Sequence, residues 1–180
     1  MLGCVLPMLY FWIPQQLMVA ILLMGLCLLV ALYFGRKRVT LVKVCFDATL
    51  GRLLRPGEDD MRSAFAMWVG LLLVCLVFPR EIAIMAWFVL FVSDALAALV
   101  GQRYGSWKIC GNKSAQGSLA FFFSAMMIGW LGQAFLGVPA ETWGIIAGAL
   151  VATSMELLGK TIDDNFTIQL GYATAIWLMG

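Results

Sequence analysis

Apolar residues dominate six stretches of the chain, at about 15–34, 63–78, 82–100, 118–137, 142–158 and 167–179. A helix of roughly 20 apolar residues crosses a bilayer, so the pattern predicts six spans, the last of them short. Pro79-Arg80-Glu81 and Val138-Pro139-Ala140-Glu141 predict tight turns between the second and third and between the fourth and fifth stretches. Met1 to Pro14 is also apolar and reads as a short re-entrant or interfacial segment. Residues 39–54 carry a different pattern. Val39, Val42, Phe46, Leu50 and Leu53 recur at helical spacing, with Thr40, Lys43, Asp47 and Arg52 mostly opposite. That suits an amphipathic helix in the headgroup plane, or an ordinary helix laid against the bundle. No stretch is left for a large soluble domain. The expected fold is all-α: residues 1–180 form one polytopic transmembrane helical bundle with an interfacial amphipathic helix.

Composition agrees. The chain is 63% hydrophobic and 12% charged, whereas soluble domains are about 45–50% apolar and about 25% charged. The absence of histidine excludes His-based acid–base catalysis, Ser-His-Asp triads and His-ligated zinc. The five cysteines form no CxxC pair and read as small apolar residues. The N-terminus lacks a basic region and a small-residue cleavage motif, so no cleaved signal peptide is expected.

The position of the charges says more than their sum. Loop 35–62 holds seven lysines and arginines, loop 101–117 holds Arg103, Lys108 and Lys113, and loop 159–166 holds Lys160. The opposite side holds only Arg80. An eleven-to-one split in strict alternation predicts that these three loops are cytoplasmic. The notable polar clusters then share one face.

The first cluster is Asp94, near the end of the third stretch. An ionisable group within a membrane segment costs roughly 2.5–3.5 kcal/mol on insertion scales and points to function. Asp94, Ala98, Gly101 and Gly105 fall on one helical face. Such a row also suits a small-residue packing seam with a buried hydrogen-bonding carboxylate. The second cluster follows at once, in a glycine-rich basic loop with Lys108, Lys113, Ser114, Gly117 and Ser118. Glycines permit turns that present backbone N–H groups, Ser114 or Ser118 can cap the next helix, and a helix N-terminus favours anions. The loop is not a Walker A motif. Its plainer reading is a capped helix with a snorkelling lysine. With no acid nearby, Lys113 is expected to act on nucleotide binding or turnover rather than on stability.

Glu156, Asp163, Asp164 and Asn165 make the third cluster, around the fifth and sixth stretches. Mg²⁺ takes oxygen ligands and keeps phosphate and water in its shell, so carboxylates facing a phosphate loop suggest Mg²⁺–nucleotide. The plainer alternatives are a Glu156–Lys160 helical pair and Asp164 or Asn165 as a helix cap. The fourth cluster, from Arg52 to Arg62, includes Arg55 and Glu58 and suits a solvated loop or a headgroup contact.

Together these residues resemble a known family. Ser93-Asp94-Ala95 through Gly101 and Gly105, then Lys113-Ser114-x-x-Gly117-Ser118-Leu119-Ala120, is similar to the CTP-dependent lipid kinases, which include dolichol kinase, phytol kinase and CTP-dependent diacylglycerol kinase. Those enzymes are related to phosphatidate cytidylyltransferases. The segment from Glu156 through Asp163-Asp164-Asn165-Phe166-Thr167-Ile168 is similar to the family's acidic-DN-x-T segment, and Arg55-Pro56-Gly57-Glu58 and Phe78-Pro79-Arg80-Glu81 look familial. The match covers about residues 36–180. Gln116 stands where the family commonly has an acid, offering an oxygen but no charge, and Gln169 stands where a proline is common.

The resemblance implies a kinase that moves the γ-phosphate of CTP to a lipid alcohol: a polyprenol, a shorter isoprenoid alcohol or diacylglycerol. Asp94, Lys113, Glu156 and Asp164 would be catalytic. Gly101, Gly105, Lys108, Lys113, Ser114, Gly117, Ser118 and Asn165 would hold nucleotide, Asp94, Glu156, Asp163 and Asp164 would hold Mg²⁺, and Arg55 and Glu58 would meet the headgroup. CTP, the lipid alcohol and the bilayer are the expected partners, and no nucleic acid is. The alternatives are a cytidylyltransferase making a CDP-lipid, and a transporter or scaffold. Transport would spread polar groups through the bilayer depth, whereas here they gather at one face.

Overall fold

The structure, a computed structural model, describes residues 2–38, 62–111, 113–138, 140–159 and 163–180. The expected amphipathic helix at 39–54 and the headgroup residues Arg55 and Glu58 lie outside the described residues. Helices fall on all six apolar stretches. After a single 3-10 turn, α1 runs Val5–Tyr10, α2 Gln15–Arg38 and α3 Arg62–Val77. Pro79 then breaks the chain. It cannot donate within a helix but its fixed φ suits a helix start, and α4 begins directly after it, Arg80–Phe88. A π-helical turn, Val89–Ser93, joins α4 to α5, Asp94–Tyr104. A two-stranded antiparallel hairpin follows, β1 Lys108–Cys110 and β2 Lys113–Ser114. The fold is all-α as expected, and this short hairpin is a local addition at which Gly111, at φ 58°, lets the loop turn back on itself. Then come α6 Ala115–Leu136, α7 Thr142–Leu158 and α8 Asp164–Met179.

Sequence explains the ends of these helices. Ser114, rather than Ser118, is the N-cap of α6, its side chain accepting from the Gly117 N–H. Gly137 ends α6 in the left-handed conformation at φ 65°, which glycine adopts without strain. Asp163, rather than Asp164 or Asn165, caps α8 by accepting from the Asn165 N–H. The other half of the expected Glu156–Lys160 pair lies outside the described residues.

Three helical runs are long and apolar enough to cross a membrane: Gln15–Gly35, Arg80–Tyr104 and Ala115–Leu136. The runs Arg62–Val77 and Thr142–Leu158 are apolar but shorter. The outer surface agrees with an apolar surround, because Phe135, Trp143, Leu178 and Met24 are among many large apolar side chains left exposed. The interior is built on α4, the π turn after it, and α8. Trp87, Ile84 and Met85 of α4 and Leu90 of the π turn are buried, as are Ile168, Tyr172 and Ile176 of α8. Around them the packed neighbours run in order α5–α6, α6–α7, α7–α8 and α8–α3, with α2 on the outer side of α3.

The N-terminal segment folds back on α4. Tyr10 is fully buried and stacks on Trp87 with ring centroids 5.3 Å apart. Arg80 donates to the backbone oxygens of Tyr10 and Phe11, satisfying carbonyls that a helix leaves open at its C-terminus. The lone basic residue of its loop thus has a structural task.

Candidate active site

At the end of the bundle that carries the hairpin, a polar cavity of about 700 Å³ opens between the helices. Its wall includes Asp94, Gly101 and Gly105 from α5 and the segment that ends it, Lys108 and Lys113 from the hairpin, Ser114, Gly117 and Ser118 from the start of α6, Glu156 from α7, and Asp164 and Asn165 from α8. All the residues assigned in sequence to catalysis and nucleotide binding therefore line one hollow, although they come from separate chain segments.

The glycines have a packing task there. α5 lies so close to the first turn of α6 that a Cβ on Gly117 would sit 2.8 Å from the Ala97 carbonyl oxygen and 3.4 Å from the Gly101 Cα. A Cβ on Gly105 would fall 2.1 Å from the Gly101 carbonyl oxygen and 2.6 Å from Ser114 Oγ. The small-residue seam is thus present, and it forms one wall of the cavity. Ser114 is 2% exposed, and its Oγ accepts the Gly117 N–H at 3.2 Å. We expect Gly105→Ala to destabilise the protein by about 1–3 kcal/mol through overpacking, read as a lower midpoint of thermal unfolding in detergent. An unchanged midpoint would show that the seam yields at no cost.

Lys113 sits at the electrostatic centre. Its ammonium lies 2.7 Å from Glu156 Oε1 and 2.9 Å from Asp164 Oδ2, and it also donates to the Glu156 backbone oxygen. An ammonium has three donors, and these contacts use all three. Glu156 is 5% exposed, and its Oε2 accepts from Ser118 Oγ at 3.3 Å. Burial pushes the lysine pKa down, but hydrogen bonds and charge from Glu156 and Asp164 outweigh it and the net shift is upward. The stabilisation that this ion pair gives is therefore complete below the ordinary value of 10.5 and is lost only as pH climbs through the raised one. The premise that no acid lies near Lys113 is overturned: its acids stand 43 and 51 residues along the chain.

The remaining assignments divide. Asn165 lines the cavity and donates to Ser63 Oγ at 2.9 Å, tying α8 to α3. Asp163 does not line it, because its carboxylate caps its own helix. Among the described residues no group of three or more metal-binding side chains is gathered. Glu156 and Asp164 converge on a single cationic point, the one that Lys113 fills. Asp94 also lines the cavity, half-buried at the start of α5, ten residues before that helix ends at the hairpin side. Gln116 faces the hairpin: its Nε2 donates to Ser106 Oγ at 2.7 Å and its Oε1 accepts the Trp107 N–H at 3.4 Å. That fixes the loop and leaves its oxygen out of the cavity wall. Sequence reading missed Ser63, Ala97 and Gln102, which share the wall. Ser63 had one signal, a small polar residue opening an apolar run.

No family model matches the chain, and no solved structure matches it. Curated proteins do. An uncharacterised protein of Rickettsia prowazekii is 33% identical over 92% of this chain and 84% of its own length. CTP-dependent diacylglycerol kinase 1 of Schizosaccharomyces pombe is 35% identical, over 74% of this chain and 68% of that protein. A probable chloroplastic phytol kinase of Triticum aestivum is 29% identical, over 74% of this chain and 50% of that protein. The chain thus spans about half the length of several curated relatives it matches.

Proposed function

The chain belongs to the CTP-dependent lipid kinases, and on that premise we propose that it transfers the γ-phosphate of CTP to the hydroxyl of a membrane lipid alcohol. The acceptor class is a polyprenol, a phytol-like isoprenoid alcohol or diacylglycerol. One observation carries the reading: Lys113, Glu156 and Asp164 meet in a glycine-walled polar cavity at the N-terminus of the 22-residue helix α6. Phosphoryl transfer asks mainly for positioning and charge neutralisation. Backbone N–H groups and the positive end of α6 suit phosphate oxygens, and Lys113 supplies a cation beside them. Glu156 and Asp164 fit Mg²⁺ of the kind that keeps phosphate and water in its shell. When bound, that ion would neutralise charge on the transferring phosphoryl group. The alcohol oxygen bonds to the γ-phosphorus, the bond to the β–γ bridging oxygen breaks, CDP leaves, and Asp94 accepts the hydroxyl proton.

The decisive assay gives the purified protein CTP labelled in the γ-phosphate, Mg²⁺ and a panel of lipid alcohols. Labelled lipid phosphate with CDP release is expected. Release of pyrophosphate, or no product with any acceptor, would overturn the reading.

In this reading the six apolar helices all cross the membrane, with the cavity mouth in the cytosol. Ser106 is exposed at the hairpin end and Glu141 is exposed before α7. In a background without native cysteines, Ser106→Cys should react only with reagent that enters the cytosol, and Glu141→Cys only with reagent outside. Exposure of both on one side would refute the orientation.

A further inference from the structure

The ring of helices around the cavity is broken at one place. Packed pairs run α5–α6, α6–α7, α7–α8 and α8–α3, yet among the described residues α3 and α5 make no substantial contact with each other, although both wall the cavity. Their main link is indirect. α3 packs on α4, which leads through the π turn into α5, and from there the two helices diverge toward the hairpin end. Burial follows the same course. Gly70, Leu71, Val74 and Cys75, in the second half of α3, are buried, whereas Arg62–Trp68 are half-buried or exposed. Along α5 only Ala97 is buried, and Ala98 is exposed while lining the cavity. Asn165 holds Ser63, and with it the start of α3, toward α8.

We infer that the gap between α3 and α5 is the door by which the acceptor alcohol enters from the bilayer, with Ala98 on its lip and Asp94 at the alcohol's hydroxyl. The inference rests on the lipid-kinase reading and divides the cavity in two. The end with Lys113, Glu156 and Asp164 takes the phosphates, and the end with Asp94 takes the alcohol. Asp94 stands ten residues from Tyr104, about 15 Å along the helix axis, which is half the roughly 30 Å hydrocarbon thickness. A hydroxyl carried on a hydrocarbon chain reaches that depth sideways, its chain still in lipid, while the nucleotide comes from the water at the hairpin end. Small side chains on both sides of the gap leave room for the carbon that bears the hydroxyl.

Ala98→Phe narrows the door without touching the Lys113 cluster. The KM for a long-chain lipid alcohol should rise at least about 10-fold, while the KM for CTP and turnover of a short water-soluble prenol stay unchanged. Leu150→Phe, at an exposed position of α7, should leave every parameter as in wild type. Equal losses with long and short acceptors, or no change in a variant that melts like wild type, would overturn the door. A second measurement covers an Ala98→Phe protein that fails to fold. A lipid alcohol with a diazirine beside its hydroxyl, photolysed with the wild-type protein, should label 62–68 and 94–102. Adducts confined to the outer faces of α7 and α8 would also overturn it. Photolabelling reads binding alone, so a wild-type protein that labels at the door but forms no lipid phosphate would sink the kinase reading and keep the door.

Discussion

Asp94→Asn is expected to lower lipid phosphorylation at least about 100-fold, the lower bound for losing a positioned general base, while the protein folds as before. Asparagine keeps the size and one oxygen of the side chain but cannot take a proton at neutral pH. The residue is half-buried at the first turn of α5 and lines the cavity, while the Lys113 ion pairs are to Glu156 and Asp164. Nucleotide affinity should therefore be retained, with the loss falling on kcat. The check is a steady-state comparison in detergent beside a thermal melt and a CTP binding isotherm. Turnover within a few-fold of wild type, in protein that melts normally, would remove Asp94 from the chemistry. Loss of CTP binding instead would place it at the phosphate end.

Lys113→Met should be the most damaging change to stability, and it should also end turnover. The substitution leaves Glu156, almost wholly buried, facing Asp164 without its cation. Breaking a buried pair by removing one partner costs about 3–5 kcal/mol, and the partial exposure of Lys113 and Asp164 places the expected loss near the lower end. Adding Glu156→Gln to Lys113→Met removes the stranded charge, so the double variant should melt above the single one. It should regain no activity. Additive losses in the double variant would show that the lysine stabilises the fold by something other than this pair. In the wild-type protein the same contacts set a condition on binding. Two carboxylates against one ammonium leave the cluster net negative, and all three N–H donors are in use. Phosphate must take a donor away from a carboxylate or from the Glu156 carbonyl, and a divalent cation entering there would free one.

Much of this was legible along the chain, for a physical reason. Apolar helices announce themselves by hydropathy, which is local, so each apolar stretch met its helix within a few residues. The serine before α6 and the proline before α4 were equally readable. The cavity's membership could also be read, because Asp94, the glycine loop and the acidic segment each carried a polar anomaly. What those residues do to one another could not be read, because the Lys113 contacts join positions far apart in sequence. Gly101, Gly105 and Gly117 look alike whether they admit a phosphate or a neighbouring helix, and only the close approach of α5 to α6 separates the two. Asp163 and Asp164 are adjacent carboxylates, and the turn before α8 decides which one caps and which one faces the lysine. The hairpin was hidden too, since strands this short show no alternation.

The π turn at Val89–Ser93 bears on how the length of this chain can change. A π turn holds one residue more than the α-helical turn it replaces, and such bulges gather at functional sites. Removing one residue from it would restore a regular helix with little rotation of the parts on either side, so Asp94 would keep its aim. The same deletion between Asp94 and Gly101 has no slack to absorb it. It would rotate the glycine seam about 100° around the helix axis and swing the carboxylate out of line with α6. Insertions and deletions in this protein should accordingly be far better tolerated just before the acid than just after it.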